Sequence, residues 1–307
     1  MTTPGYLFHA ALQAEQPLVL LGAPTPFAAI QMQAKGFRAA YLSGAGMSYF
    51  TYGVPDVGLL ELAEVVAEVK KFRRVCDLPL LVDVDTGWGD PAHTVRELIA
   101  AGAAAMHIED QTEDKRCGHL DGKTIVSTAE MCDRIKAAVS GKTADPDFIV
   151  MARTDALAME GLAGAIARIQ AYVEAGADAI FAEAMTELDH YTQIKQAIAA
   201  VAGGRVVPLL ANVTEFGKTP LYTRAELASV GVDMMLLPVS LNRAMHGMVD
   251  GWLDEIKTTG TTKGLVASGA LKDRKFYSAL IDYDPQVDSR ATVQARLEGR
   301  AASHRCA

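Results

Sequence analysis

The chain has 307 residues, half of them hydrophobic and 21% charged, with a formal net charge of −8. That balance suits one large globular unit or two ordinary ones, and it leaves no basic stripe to neutralise a nucleic-acid backbone or to hold an anionic membrane. No apolar run reaches the ~18 residues of a bilayer span, and the opening MTTPGYLFHAALQAEQ has no basic region before an apolar run, so a cytoplasmic protein with reduced thiols is expected.

Eight short apolar stretches follow in chain order: PLVLLGA, KGFRAAYLS, LPLLVDVDTG, AGAAAMHIED, DFIVMARTD, AGADAIFAEA, VVPLLANVT and VGVDMMLLPVS. The second, fourth, sixth and eighth share a pattern. Gly36, Gly102, Gly176 and Gly231 each precede an apolar run that ends in polar residues, as a glycine does when it closes a helix just before a buried strand. Helical patterns such as HTVRELIAAGA and LAGAIARIQAYVEAGA lie between the runs. Strands alternating with helices in this way predict an α/β fold, a parallel eight-stranded (β/α)₈ TIM barrel. The expected organisation is a single domain over 1–307, with the barrel core at roughly 18–245 and a C-terminal helical region at 246–307. An open doubly wound sheet is the alternative. SGAGMSY after the second strand argues against a dinucleotide site, because Tyr49 stands where the fingerprint needs its third glycine.

In such a barrel the chemistry sits at the C-terminal ends of the strands. Those ends carry Ser43, Asp83 and Asp85, Glu109 and Asp110, Arg153 and Asp155, Glu183, Asn212 and Thr214, then Ser240 and Arg243. Asp83 and Asp85 are two apart and are expected on one face of a strand. Two enclosed like charges need a compensating cation. All-oxygen donors favour Mg²⁺, with Mn²⁺ also suitable, and Glu109 is placed to complete the shell directly or through water. Asp90 before Pro91 is the helix cap of this segment, which leaves the aspartate pair free for a metal. Arg153 suits a two-point grip on a carboxylate, the alternative being a buried ion pair with Asp155. Asn212 and Thr214 suit a second carboxylate. A cation beside an anion grip describes a small-molecule polycarboxylate substrate.

Of the four cysteines, Cys76, Cys117, Cys132 and Cys306, Cys117 is singled out by its polar, densely charged setting in EDKRCGH. Their spacing matches no zinc pattern. KRCGHLDGK is rich in glycine and charge and is expected to form a mobile loop over the barrel mouth. Neighbouring cations lower a thiol's pKa, which suits a nucleophile or a proton donor. A hydrolase would need a base held by a third group, and none is legible. Cleavage of a C–C bond beside a carboxylate instead needs an acid to protonate the carbon.

YLSGAG, LPLLVDVDTGWG, HIEDQTEDKRCGH, MARTDA, AEAMTE and LLANVTEFG together resemble the isocitrate lyase / phosphoenolpyruvate mutase superfamily, from about Leu18 to Tyr283. KRCGH is the specific part. The superfamily's mutases and phosphonate hydrolases lack this cysteine, and isocitrate lyases usually carry a second lysine where Arg116 stands. The resemblance implies a barrel whose last helix packs on a neighbouring subunit in a homotetramer. It implies Mg²⁺ at Asp83 and Asp85 with Glu109 nearby, and Cys117 as the acid. Lys115, His119 and Asp56 would be further active-site members. Ser43, Gly44, Ala45, Cys117, Gly118, Arg153, Glu183, Asn212, Val213, Thr214, Arg243 and Arg274 would hold the substrate. The implied reaction is cleavage of (2S,3R)-2-methylisocitrate to pyruvate and succinate in propionate use. Action on isocitrate or 2,3-dimethylmalate, or mutase or oxaloacetate hydrolase chemistry, are the alternatives within the group. Tyr49, Phe50 and Tyr52 stand where the lyases similar to this chain usually have small or aliphatic residues, and are expected to reshape the pocket mouth. Ala182 and Trp88 also depart from that pattern, in place of a proline and a phenylalanine.

Overall fold

Each of the eight apolar stretches forms a strand: β1 (Leu18–Gly22), β2 (Ala40–Leu42), β3 (Leu80–Asp83), β4 (Ala105–Glu109), β5 (Ile149–Thr154), β6 (Ala179–Ala182), β7 (Leu209–Asn212) and β8 (Met234–Leu237). They are seen in a computed structural model that describes residues 2–305 apart from 114 and 117–121. Neighbours pair in parallel in chain order, and β1 pairs with β8 through Leu18–Met234 to Leu21–Leu237, which closes the barrel. The open-sheet alternative is thereby excluded. The four repeat glycines have φ of 85°, 92°, 107° and 79°. At Gly102 this left-handed residue ends the helix Pro91–Ala101, and Ala103 N then donates to Leu98 O at 3.0 Å. Asp90 caps that helix as expected, accepting from His93 N at 2.9 Å.

Strand alternation sorts the side chains into two cores. Leu18, Leu20, Tyr41, Leu81, Ala105, Ile149, Met151, Ala179, Phe181, Leu210, Met234 and Leu236 fill the barrel. Their neighbours, such as Leu21, Leu42, Val82, Ile108, Ala152 and Ile180, pack outward against the helices. Two residues beyond the last inward apolar position of five strands come Ser43, Asp83, Arg153, Glu183 and Asn212, and on β4 Glu109 follows the inward His107 at the same spacing; all are buried. The same period that fills the barrel with apolar side chains therefore ends it with a polar layer.

The other end of the barrel is closed by an N-terminal helix, Pro4–Ala14. Its Phe8, Ala11 and Leu12 join the interior core. Thr3 caps it, accepting from Tyr6 N, and also donates to Asp145 Oδ1 at 2.7 Å. After β8 the chain continues as helices Ser240–Thr259, Lys263–Ala267, Arg274–Leu280 and Arg290–Arg305. The first of these runs without a break through residue 245, where the core was expected to end. Among the described residues no helix is long and apolar enough to cross a membrane.

Candidate active site

A cavity of about 260 Å³ opens at the C-terminal ends of the strands. Its lining brings together Ser43, Ala45, Asp56, Asp83, Lys115, Arg153, Glu183, Asn212, Thr214 and Arg243, so ten expected residues meet in one place although the first and last are 200 positions apart in the chain.

The first wall follows β2. Ser43 caps a short turn, accepting from Gly46 N at 3.0 Å, and the chain then winds through a π-helix, Met47–Tyr52. Gly44 N donates to Asp83 Oδ2 at 3.1 Å. A Cβ at Gly44 would lie 2.7 Å from that oxygen, so only glycine lets the turn approach the carboxylate.

The acidic side is built from β3 and β4. Asp83 ends β3, but Asp85 lies beyond it with φ of +48°. Strand alternation therefore does not pair these aspartates, contrary to expectation. A left-handed turn, which aspartate tolerates, does so instead, with Asp85 N donating to Asp83 Oδ1 at 3.2 Å. Lys115 Nζ contacts Asp85 and lies 2.8 Å from Asp56 Oδ1. Burial lifts the Asp85 carboxyl to about 6, with the Asp83 charge adding to it and Lys115 opposing. Burial also works against Asp83, yet His107, Lys115 and Arg153 outweigh it and hold that carboxyl well below the usual range. Glu109 is lifted well above the usual range by burial, and its Oε1 has no hydrogen-bond partner.

The basic side centres on Arg153. Its Nε donates to Asp155 Oδ2 at 2.9 Å, its Nη1 lies 3.2 Å from Glu109 Oε2, and its Nη2 lies 3.6 Å from Glu183 Oε2. The ion pair with Asp155 thus exists, within a larger cluster that still faces the cavity. Asn212 Nδ2 donates to Glu183 Oε2 at 3.2 Å. Arg243 lies over the Phe216 ring at 5.1 Å and contacts Glu215 O.

Two expected binding residues are elsewhere. Val213 is one step out of phase with Asn212, so its side chain packs in the outer core and its N–H donates to Leu236 O at 2.8 Å. Arg274 is exposed at the start of its helix, whose Tyr277 packs on Phe27 of the helix Pro26–Ala34 outside the barrel. Cys117, Gly118 and His119 lie outside the described residues. Tyr49 and Phe50 do line the cavity, whereas Tyr52 is not in its lining.

Several site residues were not anticipated. Tyr41 hydroxyl lies 2.8 Å from His107 Nε2 and donates to Asp83 Oδ2 at 3.2 Å. His107 is wholly buried between Tyr41 and Phe181, and burial drives its pKa down to about 4. Period two on β2 and β4 puts Tyr41 and His107 on the same face as Ser43 and Glu109, which was the available signal. Glu215, Phe216 and Gly217 extend the wall begun by Thr214.

Among the described residues no three carboxylate or imidazole groups converge as a metal cage. The donors nevertheless fit a hard cation that keeps part of its water shell. They are all oxygen, Glu109 Oε1 is unpartnered, and a lysine ammonium already occupies part of the acidic pocket.

The family model for phosphoenolpyruvate phosphomutase matches residues 8–257. A 2-methylisocitrate lyase of Escherichia coli strain K12 is 46% identical over 292 residues, covering 94% of this chain and 96% of that one. Among solved structures, a 2,3-dimethylmalate lyase of the same superfamily superposes with a TM-score of 0.77 at 30% identity, covering 99% of this chain and 94% of that one. A phosphonopyruvate hydrolase in complex with oxalate and Mg²⁺ superposes with a TM-score of 0.76 at 29% identity, covering 91% and 94%. The chain belongs to the phosphoenolpyruvate phosphomutase family, in the branch that holds the 2-methylisocitrate lyases.

Proposed function

We infer that this chain is a Mg²⁺-dependent carbon–carbon lyase that splits (2S,3R)-2-methylisocitrate into pyruvate and succinate. The observation that carries the reading is an all-oxygen acidic pocket set against an anion grip that lines the cavity: Asp83 shares the lining, whereas Asp85 and Glu109 are outside it and contact its Lys115 and Arg153. Asp83, Asp85 and Glu109 form the first; Arg153, Asn212, Thr214 and Arg243 form the second. The likeness to 2-methylisocitrate lyases supplies the substrate within that class.

Asp83 and Asp85 would hold Mg²⁺, with Glu109 reached directly or through water. When bound there, the ion would supply Lewis-acid stabilisation of developing negative charge on oxygen. Arg153 can bond two carboxylate oxygens at once, and Ser43 with Ala45 would seat another carboxylate. The C2 hydroxyl proton leaves to a base as the C2–C3 bond breaks, C2 becomes the carbonyl of pyruvate, and the electron pair passes to C3. Cys117 is the acid that protonates C3 to give succinate, with His119, two residues on in sequence, a further active-site member. Lys115, fixed by Asp56 and Asp85, keeps a positive charge near the site as the dianion forms.

The wider reading includes a cytoplasmic homotetramer. In it the region 246–307 packs on a neighbouring subunit, and Arg274 would act from there. A second reading, cleavage of 2,3-dimethylmalate, is favoured by the aromatic wall of Tyr49 and Phe50 and by the likeness to a lyase of that substrate. Pyruvate release should be measured from 2-methylisocitrate and from 2,3-dimethylmalate, with glyoxylate release from isocitrate alongside, each with and without EDTA. EDTA-sensitive pyruvate from methylisocitrate is expected; its absence sinks the first reading.

A further inference from the structure

Arg153 is the cavity's central cation, but it is not the only cation on Asp155. Lys123 Nζ lies 2.8 Å from Asp155 Oδ1, and both side chains are buried. Arg153 grips the same carboxylate, donating from Nε to Oδ2 at 2.9 Å and from Nη2 to Oδ1 at 3.3 Å, so the two cations share Oδ1. The backbone of Asp155 is anchored, because its N–H donates to Asp110 Oδ1 at 2.9 Å. Asp110 is itself fixed by the Thr154 hydroxyl at 2.7 Å and the Tyr172 hydroxyl at 2.8 Å. Lys123 is placed by backbone bonds just beyond it. Thr112 N donates to Thr124 O, Val126 N donates to Asp110 O, and Gln111 bridges to Ile125. Arg153 faces the cavity; Lys123 and Asp155 are not in its lining.

The geometry points to Lys123 as a positioning residue that governs how strongly Arg153 can hold an anionic substrate, by sharing the carboxylate of Asp155. The proposal rests on the reading of Arg153 as the substrate's anion grip. Arg153 faces three carboxylates, those of Glu109, Asp155 and Glu183. An incoming carboxylate competes with all three. With Lys123 present, Asp155 has a second buried cation and draws less on the guanidinium. Without it, Asp155 depends on Arg153 alone, and in a buried site that attraction is poorly screened.

The test is a double-mutant cycle on four chains: unmodified, Lys123→Met, Asp155→Asn and the double variant. The readouts are the Kd of succinate by calorimetry with Mg²⁺ present, and KM and kcat for 2-methylisocitrate. Lys123→Met is expected to weaken succinate and raise KM by about tenfold or more, one decade being about 1.4 kcal/mol, with kcat changed far less. In the Asp155→Asn background the same methionine should cost less than about threefold, because the competing charge is gone. A loss of stability alone moves neither the split between KM and kcat nor the cycle. An unchanged Kd in Lys123→Met, or an equal loss in both backgrounds, overturns the proposal. Should Lys123→Met fail to fold, recovery of folding and succinate binding in the double variant supports it, and failure to recover overturns it. Absence of turnover by the unmodified chain would end the lyase reading while the succinate cycle still decides on Lys123. No succinate binding by the unmodified chain would overturn the proposal.

Discussion

Lys115 reaches into the acidic pocket and contacts Asp85, its Nζ also lying 2.8 Å from Asp56. Burial disfavours its charge, but Asp85, Glu109, Asp83 and Asp56 more than offset this and keep it protonated far above the ordinary range. The Mg²⁺ of the proposed function would be drawn to the same carboxylates as this ammonium. Asp85→Ala is expected to lower kcat by about 10³-fold or more, the scale of losing several kcal/mol of charge stabilisation. Steady-state rates across a Mg²⁺ titration check this, and near-normal rates at low Mg²⁺ would remove Asp85 from the metal site.

Cys117→Ser separates an acid from a binding group. Serine keeps the size and polarity but is a much weaker acid. Turnover is expected to fall about 10²-fold or more, the range for losing a positioned proton donor, with succinate affinity kept within about threefold. Single-turnover rates and a Kd measured side by side decide it; parallel loss of both would make Cys117 a binding residue.

Arg153 has both a binding and a structural role, and two substitutions divide them. Arg153→Met removes a cation that faces three buried carboxylates, of which Asp155 keeps Lys123, and is expected to cost about 3–5 kcal/mol of stability. Arg153→Lys keeps a charge but loses the fork that meets both Asp155 oxygens. Its KM should rise about tenfold with a smaller loss of stability. Chemical denaturation and steady-state kinetics on both variants give the comparison, and equal KM values for Arg153→Lys and the unmodified chain would exclude the two-point grip.

His107 sets an acid limit on the fold. Its folded pKa, about 4, lies below the ordinary 6.5, so between those values the unfolded chain binds a proton that the folded chain does not. The stability contribution is fully present above pH 6.5 and is lost as pH falls toward 4, amounting to about 3 kcal/mol at about 1.4 kcal/mol per pH decade. Asp85, raised to about 6, works in the opposite direction over much of that window. The difference between the unmodified chain and His107→Gln isolates the histidine. Urea melts in EDTA from pH 7 to 4 should show the unmodified chain losing stability faster; parallel slopes would mean that His107 is not buried in its neutral form.

How much of this was legible depends on which physical rule places each residue. Ser43, Arg153 and Asn212 could be read because a two-residue period carries the interior pattern of Leu18 and Leu20 through to the strand ends. The same rule, applied more strictly, finds Tyr41 and His107 and rejects Val213. Asp85 escaped it because a single left-handed residue redirects the chain after β3. The N-terminal helix also had a signal, since Phe8, Ala11 and Leu12 repeat at helical spacing. The place of Arg274 had none, for it is set by packing such as Tyr277 on Phe27, between residues 250 positions apart. Lys115 was legible as a charge near Cys117, but its pairing with Asp56 and Asp85 joins separate loops that no local pattern connects.

Tyr49 and Phe50 offer the sharpest test of substrate choice. The π-helix after Gly46 presents both to the cavity mouth, where Phe50 stacks on His246 at 4.9 Å and Tyr49 meets Phe50 edge-on at 6.3 Å. Tyr49 is 53% and Phe50 36% exposed, so truncation should cost little stability. What it changes is the aromatic wall at the cavity mouth, which in the proposed function would meet the substrate's methyl groups. One methylene in such a wall is worth about 10- to 200-fold in kcat/KM. Phe50→Ala and Tyr49→Ala are therefore expected to shift the ratio of kcat/KM for 2-methylisocitrate over 2,3-dimethylmalate by about tenfold. Phe50→Ala should have the larger effect, because it also releases His246. If both ratios match that of the unmodified chain, the aromatic mouth does not select the substrate, and discrimination must come from the polar layer at the strand ends.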